Sequence, residues 1–559
     1  MTLAAESSSL LDASFIDYLI VALYFGFVLG IGYIARRQIS DSLDFFLSGR
    51  SLPAWVTGLA FISANLGAVE IMGMSANGAE HGVATMHYFW VGAVPAMLFL
   101  GVVMMPFYYG SKVRSVPEFM RRRFGREAHL VNAITFAVAQ VLIAGVNLFL
   151  LGSVIEAMLG WSIWVSMGIA AAVVLSYTAL GGLSAAIYNE VLQFFVIVAA
   201  LLPLTLVGLH KVGGWDGFTE AVQGGPGGSE QLSSWPGVGL TEIDSPFWSV
   251  VGIVFGLGFV LSFGYWTTNF VEVQRAMASN SMSAARRTPI IGAFPKMFVP
   301  FIVVIPGMLS AVLVTEIADF KATGEGDVDY NDALLLLMRD VLPNGMLGIA
   351  VAGLMASFMA GMAANISAFN TVFSYDLWQT YVVKDRDDGY YLGVGRIATV
   401  AATLMALVTA RFAMGYQNIM DYLQTLFGFF NAPLFATFIL GMFWKRMTPA
   451  AAWIGLLSGT SAAIIVYALA ENGVIPLSGQ GASFAAAGAA FVVDIVVSVV
   501  VTSMTAPKPD KELVGLVYSL TPKESLRDDN AEAEAWYQSP MKLAGIALVL
   551  VIALNLLFL

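Results

Sequence analysis

Apolar runs of roughly 20 residues recur from one end of this chain to the other, each the length an α-helix needs to cross about 30 Å of hydrocarbon. About fourteen can be placed, near residues 13–35, 53–80, 83–107, 128–158, 161–180, 185–209, 247–275, 289–316, 345–375, 391–411, 418–443, 449–470, 484–505 and 541–558. Of 559 residues, 58% are hydrophobic and only 12% charged, too few charges to cover a water-soluble surface. The chain reads as an all-α, multi-pass membrane protein embedded in lipid. Its first run lacks the basic flank of a cleaved signal peptide and is expected to be retained.

The basic residues orient it. If the first run enters from outside, most of the 27 Lys and Arg fall on inside segments, including Arg36, Arg37, Lys112, Arg114, the run Arg121–Arg122–Arg123, Lys445, Arg446, Lys523 and Arg527. Both termini are then extracytoplasmic, and the plasma membrane is the expected location. Residues 211–246 form a Gly-, Ser- and Pro-rich outer loop, and 316–340 an acidic one. VPEFMRRRFG, with Pro117 near its start, reads as a short amphipathic inner helix whose arginines face solvent. Residues 506–540 form a polar inner linker. With charge segregated by side, the net −11 implies no acidic or basic ligand, and no nucleic-acid partner is expected.

Enzyme chemistry finds little support. There is no cysteine, no HExxH, no GxSxG and no phosphate-binding loop, and the four histidines lack metal-site spacing. No large soluble domain could hold an ATPase, so uphill transport would need an ion gradient. The informative residues interrupt the apolar runs. Glu70 and His87 do so early, Glu190 opens the sixth run, and Ser262, Tyr265, Trp266 and Asn269 lie in the seventh. Lys296 follows Pro295, Ser357, Gly361 and Asn365 share the ninth, and Gln424 lies in the eleventh. An ionisable side chain at mid-membrane costs roughly 2.5–3.5 kcal/mol, so several of them indicate a polar interior.

Two of these runs pair. Residues 53–80 and 247–275 each lead a block of five helices, 53–210 and 247–443, and each carries a Gly or Asn break, ANLG at 64–67 and SFGYW at 262–266. Matching breaks in two halves point to an inverted-repeat transporter with its site at the midplane. Residues 1–52 and 444–559 then supply additional helices.

RSLPAWVTGLAFISANLG, VPEFMRRRFG, GGLSAAIYNEVLQ, FVEVQR, KMFVPFIVVIPG and GMFWKR carry a resemblance. With them the chain resembles the sodium/solute symporters, the group containing bacterial sodium/galactose and human sodium/glucose transporters, which have a LeuT-type fold of five plus five helices. The resemblance makes Tyr265 the aromatic that closes over solute from the inner side, with Trp266 beside it as gate. Lys296, Gln424 and Glu70 match family sugar-contacting positions, and Ser262 stands where the galactose transporter has an asparagine. Phe89 and Gly92 replace a glutamate and a serine, and His87 could supply a polar substitute.

For the ion, the resemblance implies carbonyls of Ser63, Leu66 and Ser357. Ala360 and Gly361 stand where two serine hydroxyls are usual, and Glu190 at a nearby acidic position. Sodium wants about five or six oxygens, so the lost hydroxyls leave proton-coupled or uncoupled transport as alternatives. The expected function is sodium-coupled symport of a small polar organic solute, a sugar first, with a small carboxylate or amine as alternative. A transporter-like membrane sensor is the rival from another class.

Overall fold

The computed structural model describes the chain except residues 1–9, 12, 36–49, 112, 114, 236–239, 242, 244, 478, 523–525 and 527–534, and except the side chains of 31, 32, 34, 35, 177 and 179–185. Six basic residues of the orientation pattern (Arg36, Arg37, Lys112, Arg114, Lys523 and Arg527) thus lie outside the described residues, as does part of the 506–540 linker.

The described residues form helices and no strand; one isolated bridge joins Leu52 to Ser279. Helix α1 spans Phe15–Ala35. The interrupted run follows as α2 (Ala54–Asn65) and α3 (Val69–Met86), bent by 58°. Then come α4 (Tyr88–Gly110), α5 (Arg126–Leu159) and α6 (Ile163–Lys211). The second half comprises α7 (Pro246–Thr268), the short α8 (Phe270–Met277), α9 (Met282–Leu313), α10 (Met346–Val382), α11 (Asp388–Ala413) and α12 (Ile419–Phe443). Three further helices, α13 (Pro449–Glu471), α14 (Gly479–Met504) and α15 (Pro540–Leu557), complete the chain.

All the expected runs fall on helix, but the count differs. Among the described residues eleven helices are long and apolar enough to span, twelve with the bent pair, while Phe15–Gly30 and Ile163–Ser176 are shorter apolar pieces. The runs expected at 161–180 and 185–209 are not divided by a loop, because α6 stays helical across the Gly181–Gly182 step.

The first break lies where the sequence places it. Leu66 leaves the helical region (φ −71°, ψ 46°) and Gly67 and Ala68 lead into α3. The second does not. SFGYW is helical, and the chain opens instead at Asn269 (φ −70°, ψ 115°). The Asn269 side chain accepts a hydrogen bond from the Val271 N–H at 3.0 Å and so caps α8 itself.

The halves pack through small residues. A Cβ on Gly78 of α3 would lie 2.5 Å from the Val304 carbonyl of α9, so these backbones approach as only glycine allows. Beside the membrane spans, Ser115 caps the short helix Val116–Phe124 through the Glu118 N–H. Its arginines do not all face water: Arg123 is buried and donates to the carbonyls of Gly441, Trp444 and Met447. Free carbonyls at the end of α12 explain the difference, since a guanidinium satisfies several at once.

Candidate solute and ion site

The first break opens a cavity near the middle of the helical bundle. Of the expected residues, Glu70, Ser262, Tyr265, Trp266, Lys296 and Gln424 line it, and Gly361 borders it. Asn65, Asn147, Asn365 and Tyr88 line it too. Asn147 and Tyr88 are not among the residues that the sequence singles out, since each shares its long apolar helix with other polar side chains.

One charged chain of contacts runs through this cavity. Lys296 Nζ donates to Glu70 Oε1 at 2.6 Å and also to Asn65 Oδ1. The ammonium lies 5.1 Å from the Trp266 ring centre and 4.9 Å from that of Phe89. A cation over two aromatic faces gains a further attraction, so Phe89, a sugar position lost to hydrogen bonding, here supports the lysine. Asn65 Nδ2 donates to the Tyr265 hydroxyl at 3.2 Å, and that hydroxyl donates to Glu272 Oε1 at 3.0 Å. Tyr265 packs against Phe427 at 4.8 Å between ring centres.

Two expected solute positions change meaning. His87 does not line the cavity. It is fully buried, its ring contacts the Ser234 carbonyl of the 211–246 loop, and it lies 4.1 Å from the Trp235 ring centre. Two residues before Phe89 on a helix, His87 points to a different face from it. Gly92 and Ser262 form an exchange, since a Cβ on Gly92 would lie 2.3 Å from Ser262 Oγ. The serine on α7 fills the place of a side chain on α4.

The expected ion residues separate into two groups. At the break, the Ser357 hydroxyl donates to the Leu66 carbonyl where α2 meets α10, and the Ser63 hydroxyl, also on α2, is buried without a hydrogen-bond partner among the described residues. Ala360 is fully buried and adds no oxygen there. Gly361 cannot carry the usual hydroxyl, because its Cβ would lie 2.6 Å from Asn147 Oδ1 and 3.0 Å from the Gly67 Cα. That amide oxygen instead accepts the Ala68 N–H at 3.2 Å, satisfying a donor freed by the break.

Glu190 stands apart from the ion residues. Both its oxygens meet Arg275, at 2.6 and 3.3 Å, and the pair is fully buried. Arg275 also donates to the Val271 carbonyl and to Gln274, whose amide reaches Thr371. A carboxylate bidentate on a guanidinium is already neutralised, so Glu190 braces α6 against α8 rather than joining the ion residues. Asn147 and Arg275 were the functional neighbours least visible from spacing alone.

The description "Sodium:solute symporter family" matches residues 45–459. The chain belongs to that family. The symporter is 28% identical over 470 residues to a sodium/glucose cotransporter of Vibrio parahaemolyticus, covering 81% of this chain and 85% of the relative. It is 27% identical over 568 residues to sodium/glucose cotransporter 1 of Oryctolagus cuniculus, covering 94% and 84%. Among solved structures, a Na+-coupled sialic acid symporter in a substrate-bound, outward-open state aligns with TM-score 0.73 at 18% identity, over 88% of this chain and 98% of that one. This likeness establishes the fold, the LeuT type that the resemblance implies. The symporter is a multi-pass membrane transporter, not an enzyme, and moves a small organic solute with sodium.

Proposed function

We propose that this symporter imports a sugar or a similarly neutral polyol across the plasma membrane, with sodium seated at the first helix break. The observation that carries the choice of solute is the Glu70–Lys296 pair. Each charge in the cavity wall already has its counterion at 2.6 Å, so an anion or cation would have to pull the pair apart. A neutral solute can hydrogen-bond to both partners in place. The amides of Asn65 and Gln424 and the Ser262 hydroxyl offer further donors and acceptors, and Tyr265, Trp266 and Phe427 present flat apolar faces. Sugars need both, because every hydroxyl stripped of water must regain a partner. The sodium/glucose cotransporters among the relatives support the same choice.

In this reading the Leu66 carbonyl and the Ser357 and Ser63 hydroxyls offer oxygens to sodium, with water or solute completing its shell. The blocks 53–210 and 247–443 act as the two repeats and 1–52 and 444–559 as additional helices. Tyr265 and Trp266 close the inner side, and both termini are extracytoplasmic. Lipid surrounds the bundle.

Uptake into proteoliposomes tests this. Sugars should accumulate under an inward sodium gradient, and a proton gradient alone should drive none. Accumulation of a carboxylate or amine but no sugar would replace the solute assignment. Accumulation driven by protons alone would replace the ion.

A further inference from the structure

The helices beyond the ten-helix core carry side chains that reach back to the cavity. Gln480 lies in the first turn of α14, is fully buried, and is more than 390 residues from the helices it touches. Its Oε1 accepts the hydroxyl of Tyr88, which lines the solute cavity. The same oxygen accepts Asn77 Nδ2 at 3.3 Å, and its Nε2 donates back to Asn77 Oδ1. Asn77 belongs to α3, the half of the broken helix beyond the break. Its Oδ1 also accepts Asn418 Nδ2 at 2.9 Å, and Asn418 reaches Glu80 Oε2 at 2.7 Å. Asn418 is the N-cap of α12, bonded to the Met420 N–H.

Gln480 therefore sits at the junction of three parts that must separate if the cavity is to open on this face: α3, α4 and α12. Its helix is fixed to α12 by Ser483 and Thr425, whose hydroxyls lie 3.0 Å apart, next to the cavity residue Gln424. Phe484, one turn on, packs at 6.2 Å from the Tyr88 ring centre. The groups that Gln480 itself bonds are neutral, an amide and a phenol, with the carboxylates of Glu80 and Asp421 close by. Amides exchange partners with water at small net cost.

We propose that Gln480 is a positioning residue of the transport cycle, closing the solute cavity on the Asn418 face by holding Tyr88 and Asn77 together. The additional helix α14 is then a working part of this closure. The inference rests on the transporter reading, but its test needs no solute, so the two can fail separately.

The chain contains no cysteine, so a single reporter cysteine has no background. Leu261→Cys places one in the cavity wall. Its labelling by a membrane-impermeant thiol reagent is followed in sealed vesicles of each orientation, with and without Gln480→Leu. Losing two or three hydrogen bonds from the closed state should raise the labelling rate about threefold or more, from the Asn418 face only. A purely structural defect would reduce the amount of folded protein and leave the rate per folded molecule unchanged. Gln480→Glu, which can still accept from Tyr88 but cannot donate to Asn77, should give an intermediate rate. An unchanged rate in Gln480→Leu, with Asn418→Ala raising it, would overturn the role of α14. If Gln480→Leu does not reach the membrane, Gln480→Asn, one methylene shorter, should show the same rise, and an unchanged rate there would likewise overturn the proposal.

Discussion

Two polar networks flank the first broken helix, and they are built from different chemistry. Around the break itself the contacts are charged: Glu70 with Lys296, and Tyr265 with Glu272. At the far end of α3 they are mostly amides: Asn77, Gln480 and Asn418, with Gln231 donating to the Glu80 carbonyl at 2.8 Å. Separating a buried ion pair leaves charges in a low dielectric, whereas separating amides leaves dipoles that water accepts. The charged network is suited to holding a fixed geometry around the solute, and the amide network to opening and closing.

The comparison is sharpest when one charge is removed. Lys296→Met leaves Glu70 ionised or forces it to take a proton, and breaking a buried pair costs about 3–5 kcal/mol. Uptake should be abolished and the melting temperature in detergent should fall markedly. Adding Glu70→Leu should restore the melting temperature but not uptake. If the single variant melts like the parent, the pair is not holding the structure. Arg275→Met should destabilise comparably through Glu190, while Glu190→Gln should leave the sodium concentration for half-maximal uptake nearly unchanged. A large shift in that concentration would return Glu190 to the ion residues.

Next in size is the contact between α2–α3 and α10. Gly361→Ser must displace Asn147 or Gly67, and overpacking of this kind costs about 1–3 kcal/mol. Restoring the family's usual hydroxyl at this position should therefore lower stability and uptake together. Tighter sodium binding with unaltered stability would show that the backbones can part. On the amide side, Asn418→Ala removes the cap of α12 and should cost about 1 kcal/mol. A thermal melt should register it as a shift smaller than for either charge variant.

The smallest expected effect is on pH. In the acidic loop at 316–340, burial, reinforced by the charge of Asp332, pushes Asp329 up to about 7. An unfolded aspartate titrates near about 4, so the folded loop binds a proton that the unfolded chain has already released. This contribution to stability is complete below about pH 4 and is lost as pH rises through about 7. The melting temperature should fall slightly from pH 5.5 to pH 8, and Asp329→Asn should flatten that slope. A rise over the same interval would show the loop built differently.

How much of this was legible in the sequence depends on range. The break at Asn65–Gly67 shows because polar and small residues interrupt an apolar run, and a helix in lipid has no other reason to tolerate them. Glu70, Lys296 and Gln424 show for the same reason. Asn269 stands out as polar, but the break is read at SFGYW instead, because a capping asparagine followed by apolar residues looks like continuing helix. The partner of Glu190 was hidden by distance along the chain, and so was that of Tyr88. His87 misled in the opposite way: polarity marked it, but two residues before Phe89 on a helix it points to a different face.

The self-capped start of α8 has a mechanical consequence. Because Asn269 satisfies the Val271 N–H from within the same short segment, the turn that ends α7 is held mainly from within, with one bond from the Tyr108 hydroxyl of α4 to the Thr267 carbonyl. It can act as a hinge pin that travels with the moving part. Whatever angle α8 adopts, Glu272 and Arg275 ride on it in fixed register, so one rotation would carry the hold on Tyr265 and the brace to Glu190 together.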